Sequence, residues 1–459
     1  MLEKKKLNIL YLHTHDTGRL ISAYGYDMPT PHYQAFCDDS LLFQNAFSVA
    51  PTCSPSRAGL LTGVFPHQNG MLGLAQRGFH INRKMHLAEI LRTNGYHTSL
   101  CGVQHEIGYY TEHEKAIGTI GYIEDLSADN THYSETDLVY WDRRNAHKLC
   151  KWLGKWQEET PFFVSYGMHA THRRYPENQQ PTSKSRPPLN IPNTPETRED
   201  YARFQTSASM ADENIGMIIK ALQENGLYEK TIIILTTDHG IAYPFAKCSL
   251  HDEGLGVLLA VRVPGMKCQG KSFEGLISQV DILPTLFDLV GIEKPEYLMG
   301  RSFADLFAGK ECQGDEAVFG EINYHTSYEP VRSVRTKRYK YIRYFDTEYD
   351  QVNYSNIDNS PIKDLLRKNG LSEIRKPAEA LYDTYYDRFE TNNVIAEPRY
   401  ATVAGEMRKR LADFMQRTKD PLLQGPIAVQ PEWKVNKKEC WSPGSKEPDN
   451  YESLGGKEE

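Results

Sequence analysis

The sequence predicts an α/β fold in which a large, mostly parallel sheet flanked by helices precedes a smaller antiparallel unit. Two observations indicate the large unit. Short apolar runs rich in branched residues recur along roughly the first 310 residues, and helix-like stretches such as 85–94 and 201–225 separate them. The third observation is a change after Gly314, where closely spaced strand patterns replace this alternation. At 459 residues the chain is long enough for a sizeable core.

Four predicted strands, at 7–12, 95–101, 162–166 and 231–237, each run directly into polar side chains that can do chemistry. The segments that follow them are 13–16, 102–105, 169–172 and 238–240. Ligands of open parallel α/β sheets bind outside the carboxyl ends of the strands. We therefore expect these four segments to converge on one site.

The second half predicts a small antiparallel sheet with one packed helix. Strand patterns lie at 317–323, 331–336 and 339–345, and a helical pattern lies at 399–417. From about residue 435 the composition turns to Lys, Glu, Gly, Ser and Pro, which is typical of a chain end without its own core. We expect a catalytic α/β domain over 1–314, an α+β subdomain over 315–434 and a loosely ordered tail over 435–459.

Composition excludes several classes of function. The chain carries 53 Lys and Arg against 60 Asp and Glu, a net charge of -7 without a basic block, so nucleic acid is not an expected partner. The apolar stretch 9–12 is too short for a signal sequence or a membrane span, so no membrane partner is expected. Eight cysteines show no CxxC pair, which favours a reducing, cytoplasmic location over a disulfide framework.

The sharpest motif is the segment 53–63, which begins Cys-Ser-Pro-Ser-Arg and ends Leu-Thr-Gly. Ser54 can cap a helix and Pro55 suits its first turn, so Cys53 would lie at the positive end of that helix with Arg57 one turn further on. That position favours an anion. The alternative is a helix start that merely contains a cysteine.

This segment resembles the signature of the type I sulfatases, members of the alkaline phosphatase-like superfamily, whose cysteine is oxidised to formylglycine. The resemblance continues in family order over most of the chain. Segments that resemble family motifs lie at 8–18, 237–240, 247–265, 280–286, 300–302, 381–383 and 390–393. The resemblance implies a hydrolase that releases inorganic sulfate from a sulfate ester or sulfamate by means of a formylglycine made from Cys53.

The resemblance also implies a divalent metal, calcium in the family, that faces the modified Cys53. By motif match Asp16, Asp238 and His239 are its ligands, and hard oxygen ligands suit calcium. The chain departs from the family at His15, where a second aspartate is usual. His15 is a candidate ligand, a candidate hydrogen-bond donor to the substrate, or a reason to admit a softer metal such as zinc or manganese.

Sulfate chemistry needs cations that hold the sulfate oxygens and absorb developing charge. By resemblance, Arg57 orients the formylglycine, His105 assists sulfate release, and His172 with Lys247 grips the sulfate and protonates the leaving atom. Val103 replaces a lysine that commonly binds sulfate in the family. The cations that are candidates to compensate are His13, Arg19, His169, Arg173 and Arg174.

The segments 321–325 and 328–336 resemble bacterial sulfatases that are similar to heparan N-sulfatases. The predicted substrate-binding residues are Arg19, His169, His325 and Arg332. The expected partners are a sulfated carbohydrate and a formylglycine-generating maturation enzyme. The alternative for each residue of these segments is a surface strand with alternating charge.

Two other functions compete with the sulfatase hypothesis. One is a phosphodiester or phosphonate monoester hydrolase of the same fold, which the missing lysine and the altered metal loop leave open. The other is a catalytically silent protein that binds anions or glycans. Retention of the nucleophile, base and acid positions in one chain argues against a silent pocket.

Overall fold

The computed structural model describes residues 7–157 and 159–444. In chain order its larger unit contains β1 (Asn8–Thr14), α1 (Pro31–Asp38), β2 (Leu41–Phe47), α2 (Cys53–Thr62), α3 (Pro66–Asn69), α4 (Leu87–Thr93), β3 (His97–Gly102), β4 (Glu124–Asp125), α5 (Leu138–Leu153), β5 (Phe162–Gly167), α6 (Pro195–Glu224), β6 (Thr231–Thr237), α7 (Asp252–Leu255), β7 (Leu259–Arg262), β8 (Lys271–Ser278) and α8 (Ile282–Val290). The smaller unit contains β9 (Ala317–Tyr324), β10 (Tyr328–Thr336), β11 (Tyr339–Tyr344), α9 (Pro361–Lys368), β12 (Glu379–Asp383) and α10 (Ala401–Thr418).

The eight strands of the larger sheet lie in the order β4-β3-β5-β1-β6-β7-β2-β8, and only β7 runs antiparallel to its neighbours. The predicted mixed, mostly parallel sheet is confirmed. The four strands predicted to lead into the site are the adjacent strands β3, β5, β1 and β6. Every residue of β1 and β6 is buried, because helices cover both faces of the sheet, and this explains their continuous apolar runs.

Helix α2 lies in the core, and all ten of its residues are buried. It begins at Cys53, as the motif predicts, but its first turn is built differently. The N-cap residue is Thr52, and the Ser54 hydroxyl instead accepts a hydrogen bond from the backbone N–H of Ala75 at 3.0 Å. The helix ends at Gly63, whose φ of 69° is the left-handed conformation that closes a helix.

The smaller unit is a four-stranded antiparallel sheet in the order β12-β11-β10-β9, which confirms the predicted sheet and helix. Apolar residues of α10 cover one face of this sheet. The other face packs on the larger unit, and the residues that meet there include Phe47, Leu250, Leu255, Leu276, Val318, Ile322, Val331, Ile342 and Ala380. The two sheets therefore share a continuous apolar contact.

The predicted loose tail differs from what is seen in residues 435–444. Val435 is buried in the main core and Asn436 pairs with Ser327 through backbone groups. Arg77 of the larger unit donates to the Asn436 side chain at 3.1 Å and to the carbonyl of Pro443 at 2.7 Å. The segment is packed because it supplies the acceptors for this buried guanidinium. Residues 445–459 of the predicted tail lie outside the described residues.

Seven cysteines are free thiols: Cys37, Cys53, Cys101, Cys150, Cys248, Cys268 and Cys312. Among the helices of the described chain, none combines the length and the apolar character that crossing a bilayer requires.

Two buried histidines outside the predicted site should make the fold sensitive to acid. Burial lowers the pKa of His86 to about 3 and that of His251 to about 4, against about 6.5 in an unfolded chain. Below pH 6.5 the unfolded state therefore binds more protons than the folded state, so the free energy of unfolding falls as the pH drops towards 4.

We expect His86→Asn to lessen that pH dependence by about one proton, or about 1.4 kcal/mol per pH unit, between pH 6 and pH 4. Asparagine keeps an acceptor for the N–H of Ala88, which His86 now caps at 3.2 Å. Denaturant unfolding at several pH values measures the slope. The matched control is His80→Asn at an exposed position. An unchanged slope in His86→Asn contradicts the prediction.

Candidate active site

The carboxyl ends of β1, β5, β3 and β6 meet at the start of α2, as expected from the sheet. Five side chains there each offer a potential ligand atom, and these atoms all lie within 4.8 Å of one another. The five are His15, Asp16, Cys53, Asp238 and His239. All are buried, so the described chain forms a closed donor cluster at the base of the site.

Two carboxylates dominate the cluster. His15 Nδ1 lies 2.9 Å from an oxygen of Asp16 and 3.1 Å from an oxygen of Asp238. Burial acts to raise the pKa of both acids, but Lys247 and His172 outweigh it at Asp16, and His239, His15 and Arg57 do so at Asp238. Both pKa values therefore lie far below the usual range, and the site holds two fixed negative charges.

His239 is oriented as a metal ligand would be. Its Nδ1 lies 2.9 Å from the carbonyl of Gly240, which can only accept, so this nitrogen carries the hydrogen. The bare Nε2 lies 3.3 Å from Cys53 Sγ and 3.3 Å from an oxygen of Asp16. A lone pair that faces a carboxylate fits a bound cation between them. Two carboxylates, two imidazoles and position 53 thus form a suitable donor set for a divalent metal.

Cys53 is the first residue of α2 and is only 2% exposed. Burial raises the pKa of its thiol well above the usual value, although the charge of Lys247 opposes the shift. The unmodified side chain is therefore a protonated thiol and a weak nucleophile.

Arg57 joins the helix to the ends of two strands. Its guanidinium donates to Asp238 at 3.0 Å, to the carbonyl of Thr14 at 3.2 Å and to His13 Nδ1. His13 must be neutral to accept that bond, and burial together with the charge of Arg57 lowers its pKa. His13 therefore does not supply the positive charge that is lost where Val103 replaces the family lysine.

Lys247 lies at the centre of three partners. Its ammonium is 2.9 Å from Asp16, 3.0 Å from Asp358 and 3.4 Å from His172 Nε2. Burial acts to lower its pKa, but the carboxylates of Asp16 and Asp358 outweigh this and hold the pKa above its usual value. His172 donates from Nδ1 to the carbonyl of Arg173, so its Nε2 can accept from the ammonium.

His105 is set as a neutral base. Its Nε2 lies 2.7 Å from the side-chain oxygen of Gln76, while its Nδ1 has no partner. Burial and then the charge of Arg57 lower the pKa of His105 well below its usual value. Its ring lies 5.9 Å from that of His15 and 5.5 Å from that of Tyr110, which places it beside the donor cluster.

Two predicted substrate-binding residues, Arg332 and Arg19, make other contacts in the structure. Arg332 is fully buried and binds Asp420 through two hydrogen bonds of 2.6 and 3.0 Å, so it holds the smaller unit together and cannot reach a substrate. Arg19 lies over the ring of Phe47 and donates to the carbonyl of Ala46 at 3.0 Å. It also lines a polar cavity of about 300 Å³ together with Asp252 and Glu253.

The other two lie near the cluster. His169 is fully buried 5.5 Å from the ring of Tyr110, so it packs beneath the site and does not line the opening. His325 is 4% exposed, and its Nδ1 has no partner. Burial and then the charge of Lys247 lower its pKa to about 3. His325 therefore remains a predicted substrate-binding residue.

Position 103 cannot bind sulfate in this chain, because Val103 is buried in an apolar cluster with Tyr110 and Trp141. Neither remaining arginine replaces the family lysine. Arg173 is held in a two-bond pair with Asp200, and Arg174 is 75% exposed near Glu135. Among the candidate replacements in the described chain, none is a free cation in the site, which leaves Lys247 and Arg57 as its cations.

Three site residues were missed by sequence reasoning: Gln76, Tyr110 and Asp358. None directly follows a predicted strand, so the strand-end pattern gave no signal for them. Tyr110 has a weak signal in the paired tyrosines 109–110 that follow Gly108. Asp358 lies in a turn-rich segment of the smaller unit, and only the packing of the two units brings it to Lys247.

Comparison with known proteins identifies the family. The family model described as "Sulfatase" matches residues 8–292, and the model described as "N-sulphoglucosamine sulphohydrolase, C-terminal" matches residues 238–377. The first match spans more than half of the chain and contains the donor cluster and Lys247.

The human N-sulphoglucosamine sulphohydrolase is 28% identical, over 92% of this chain and 92% of its own length. The Delta 4,5-hexuronate-2-O-sulfatase of Bacteroides thetaiotaomicron is 25% identical, over 91% of this chain and 90% of its own. The solved phosphonate monoester hydrolase of Agrobacterium radiobacter shares the fold, with a TM-score of 0.70 at 19% identity, covering 93% of this chain and 100% of that chain. Since the sulfatase model matches most of the chain and the site, the protein belongs to the sulfatase family of hydrolases.

Proposed function

We propose that this sulfatase releases inorganic sulfate from a sulfated sugar, with a formylglycine made from Cys53 as its nucleophile. The observation that carries the proposal is the position of Cys53 at the start of a buried helix, 3.3 Å from His239 and within the donor cluster. A hydrated aldehyde supplies a hydroxyl for attack on sulfur and a second hydroxyl that allows sulfate to leave. The protonated thiol of the unmodified chain supports the need for this conversion.

The surrounding residues can provide the proton transfers. His105, neutral and with a bare Nδ1, would act as the base that removes the proton of the second hydroxyl as sulfate departs. Lys247, which keeps its proton, and His172, which accepts from it, would hold a sulfate oxygen and protonate the leaving oxygen or nitrogen. Arg57 would hold Asp238 in a fixed position relative to residue 53.

A divalent metal would be held by Asp16, Asp238, His239 and His15, and it would withdraw charge from the sulfate oxygens. Two imidazoles among the donors favour manganese or zinc more than the calcium that the family resemblance implies. We propose His15 as a ligand because its Nδ1 lies between the two carboxylates.

Removing the metal should destabilise the protein, because two buried carboxylates then lack a compensating charge. We expect chelation to lower the melting temperature, and an added cation at one hundred times its Kd to restore about 2.7 kcal/mol. His15→Asp should shift the ratio of manganese to calcium affinity by about 10-fold towards calcium. Calorimetric titration measures both affinities, with exposed His80→Asp as the control. A melting temperature that does not respond to manganese, zinc or calcium contradicts the proposal.

For the substrate we propose a sugar of the glycosaminoglycan class, with N-sulfoglucosamine as the first candidate. The supporting observations are the human relative, named N-sulphoglucosamine sulphohydrolase, and the matching C-terminal model over residues 238–377. The second relative is named for a hexuronate 2-O-sulfate. These names cover both S–N and S–O cleavage, so the panel of test substrates must contain both linkages.

The test combines mass spectrometry with sulfate release. Protein produced together with a formylglycine-generating enzyme is digested, and the mass of the peptide that contains residue 53 is measured. We expect an aldehyde at that position and sulfate release from N-sulfoglucosamine or an O-sulfated uronate or hexosamine. An aldehyde-bearing protein that hydrolyses no member of the panel overturns the proposal.

The same preparation tests phosphonate or phosphodiester hydrolysis, an alternative motivated by Val103 at a sulfate-binding position. A kcat/KM for an aryl phosphodiester that exceeds the value for an aryl sulfate would favour that alternative.

We also propose that the protein works in a reducing compartment such as the cytoplasm and meets its maturation enzyme there. The seven free thiols at Cys37, Cys53, Cys101, Cys150, Cys248, Cys268 and Cys312 support this location, because oxidising compartments favour disulfides.

A further inference from the structure

The smaller unit contributes a carboxylate to the mouth of the site. Asp358 Oδ2 lies 3.0 Å from Lys247 Nζ and is itself buried, yet 18% of the Asp358 side chain stays exposed. The ring of His172 is 17% exposed, whereas Asp16 and Asp238 are fully buried. The site therefore opens beside Asp358 and His172, and the metal-binding carboxylates form its base.

The loop that carries Asp358 is held on both sides. The side-chain oxygen of Asn356 accepts hydrogen bonds from the backbone N–H groups of Thr326 and Ser327, at 3.1 and 3.0 Å. On the other side, Lys363 donates to the carbonyls of Tyr354 and Ile357 and to that of Trp441, at 2.7 to 2.9 Å. The Asp358 backbone is therefore preorganised next to Lys247, as a substrate-contacting group requires.

Asp358 has few partners of its own. Within the described part of the chain, its ion-pair partner is the Lys247 ammonium, and its buried Oδ2 accepts no hydrogen bond. When a sulfate oxygen binds Lys247, it competes with Asp358 for the positive charge of that ammonium. A carboxylate that is mostly removed from water, accepts no hydrogen bond at Oδ2 and shares its compensating charge is costly to leave unpaired. The substrate must therefore bring a replacement donor.

We propose that Asp358 accepts a hydrogen bond from a hydroxyl or amine that the sugar carries beside its sulfated position. The negative charge would also repel a second sulfate at that place, so Asp358 would select sugars by attraction and by repulsion. This inference rests on the proposed function, because it assigns Lys247 to the sulfate. It adds a specificity-determining residue that comes from the smaller unit.

The test compares two substrates that share the sulfate but differ in neighbouring donors. N-sulfoglucosamine carries a hydroxyl beside the sulfated nitrogen, and 4-nitrophenyl sulfate carries no donor. We expect Asp358→Asn and Asp358→Ala to lower the ratio of their kcat/KM values, sugar over aryl sulfate, by at least ~10-fold. Asp364→Asn, an exposed acid on α9, is the control and should leave the ratio unchanged.

A ratio that stays constant overturns the inference, including the case in which both substrates lose activity equally, since Asp358 would then act through Lys247. Binding keeps the inference testable without turnover. In a Cys53→Ala background, we expect Asp358→Ala to weaken the calorimetric Kd for N-sulfoglucosamine by at least ~10-fold. An unchanged Kd, or no binding in that background, overturns it. Failure of the proposed function is distinct, because wild-type protein with the aldehyde would then hydrolyse neither sulfate.

Discussion

Replacing Cys53 with alanine should lower kcat/KM by about 10⁴-fold or more while the protein stays folded, because the change removes the proposed nucleophile. The exposure of Cys53 refines the expected cost in stability. The Cys53 side chain is only 2% exposed, so losing its sulfur should cost about 1 kcal/mol of unfolding free energy. Steady-state kinetics on an aryl sulfate and denaturant unfolding measure the two effects.

Cys37→Ala is the matched control, since Cys37 is also a buried, free thiol but lies on α1 within the apolar core. Both variants lose one buried sulfur, and only the change at position 53 should abolish turnover. Activity retained in Cys53→Ala would exclude position 53 as the nucleophile, whatever its oxidation state. Equal losses in both variants would point to a general effect of cavity formation.

Replacing Arg332 with alanine should destabilise the protein by about 3–5 kcal/mol, because Asp420 would remain as a buried charge without a partner. Both side chains are fully buried, and the guanidinium also donates to the carbonyls of Ile322 and Val331 at 3.0 Å. The variant should lose stability rather than substrate affinity. Denaturant unfolding measures the first, and KM of the remaining folded enzyme measures the second.

Arg338→Ala is the matched control for this pair. Arg338 also binds an acid through two hydrogen bonds, at Asp383, but its side chain is 40% exposed and water can replace it. We expect that change to lower the free energy of unfolding far less than Arg332→Ala does. Similar losses in the two variants would show that burial does not set the strength of these pairs, and a raised KM in Arg332→Ala would restore the predicted contact with substrate.

The sequence predicts the centre of the sheet well, because β1, β3, β5 and β6 are apolar runs that end in polar clusters. The same logic brings His15, Asp16, Asp238 and His239 together before any coordinate is known. The strands on the far side of β6 are harder to predict. The direction of β7 depends on its neighbours β6 and β2 and not on its own four residues.

Residues whose role depends on a distant partner are where the sequence fails. An arginine in a strand with alternating charge resembles a surface residue. Nothing in the local sequence indicates that Arg332 is buried with Asp420, which lies 88 positions away. The role of Asp358 cannot be predicted for the same reason, because its partner Lys247 belongs to the other unit. The sequence predicts Ser54 as a helix cap, but its hydroxyl instead accepts a hydrogen bond from the backbone N–H of Ala75.

The shared apolar contact between the two sheets has a consequence for synthesis of the chain. The larger unit is complete once β8 and α8 have left the ribosome, yet Phe47, Leu250 and Leu255 still lack their cover of later strands. The guanidinium of Arg77 lacks two of its acceptors for even longer, because the side chain of Asn436 and the carbonyl of Pro443 are synthesised last. A nascent chain stalled at residue 314 should therefore expose an apolar surface that chaperones can bind.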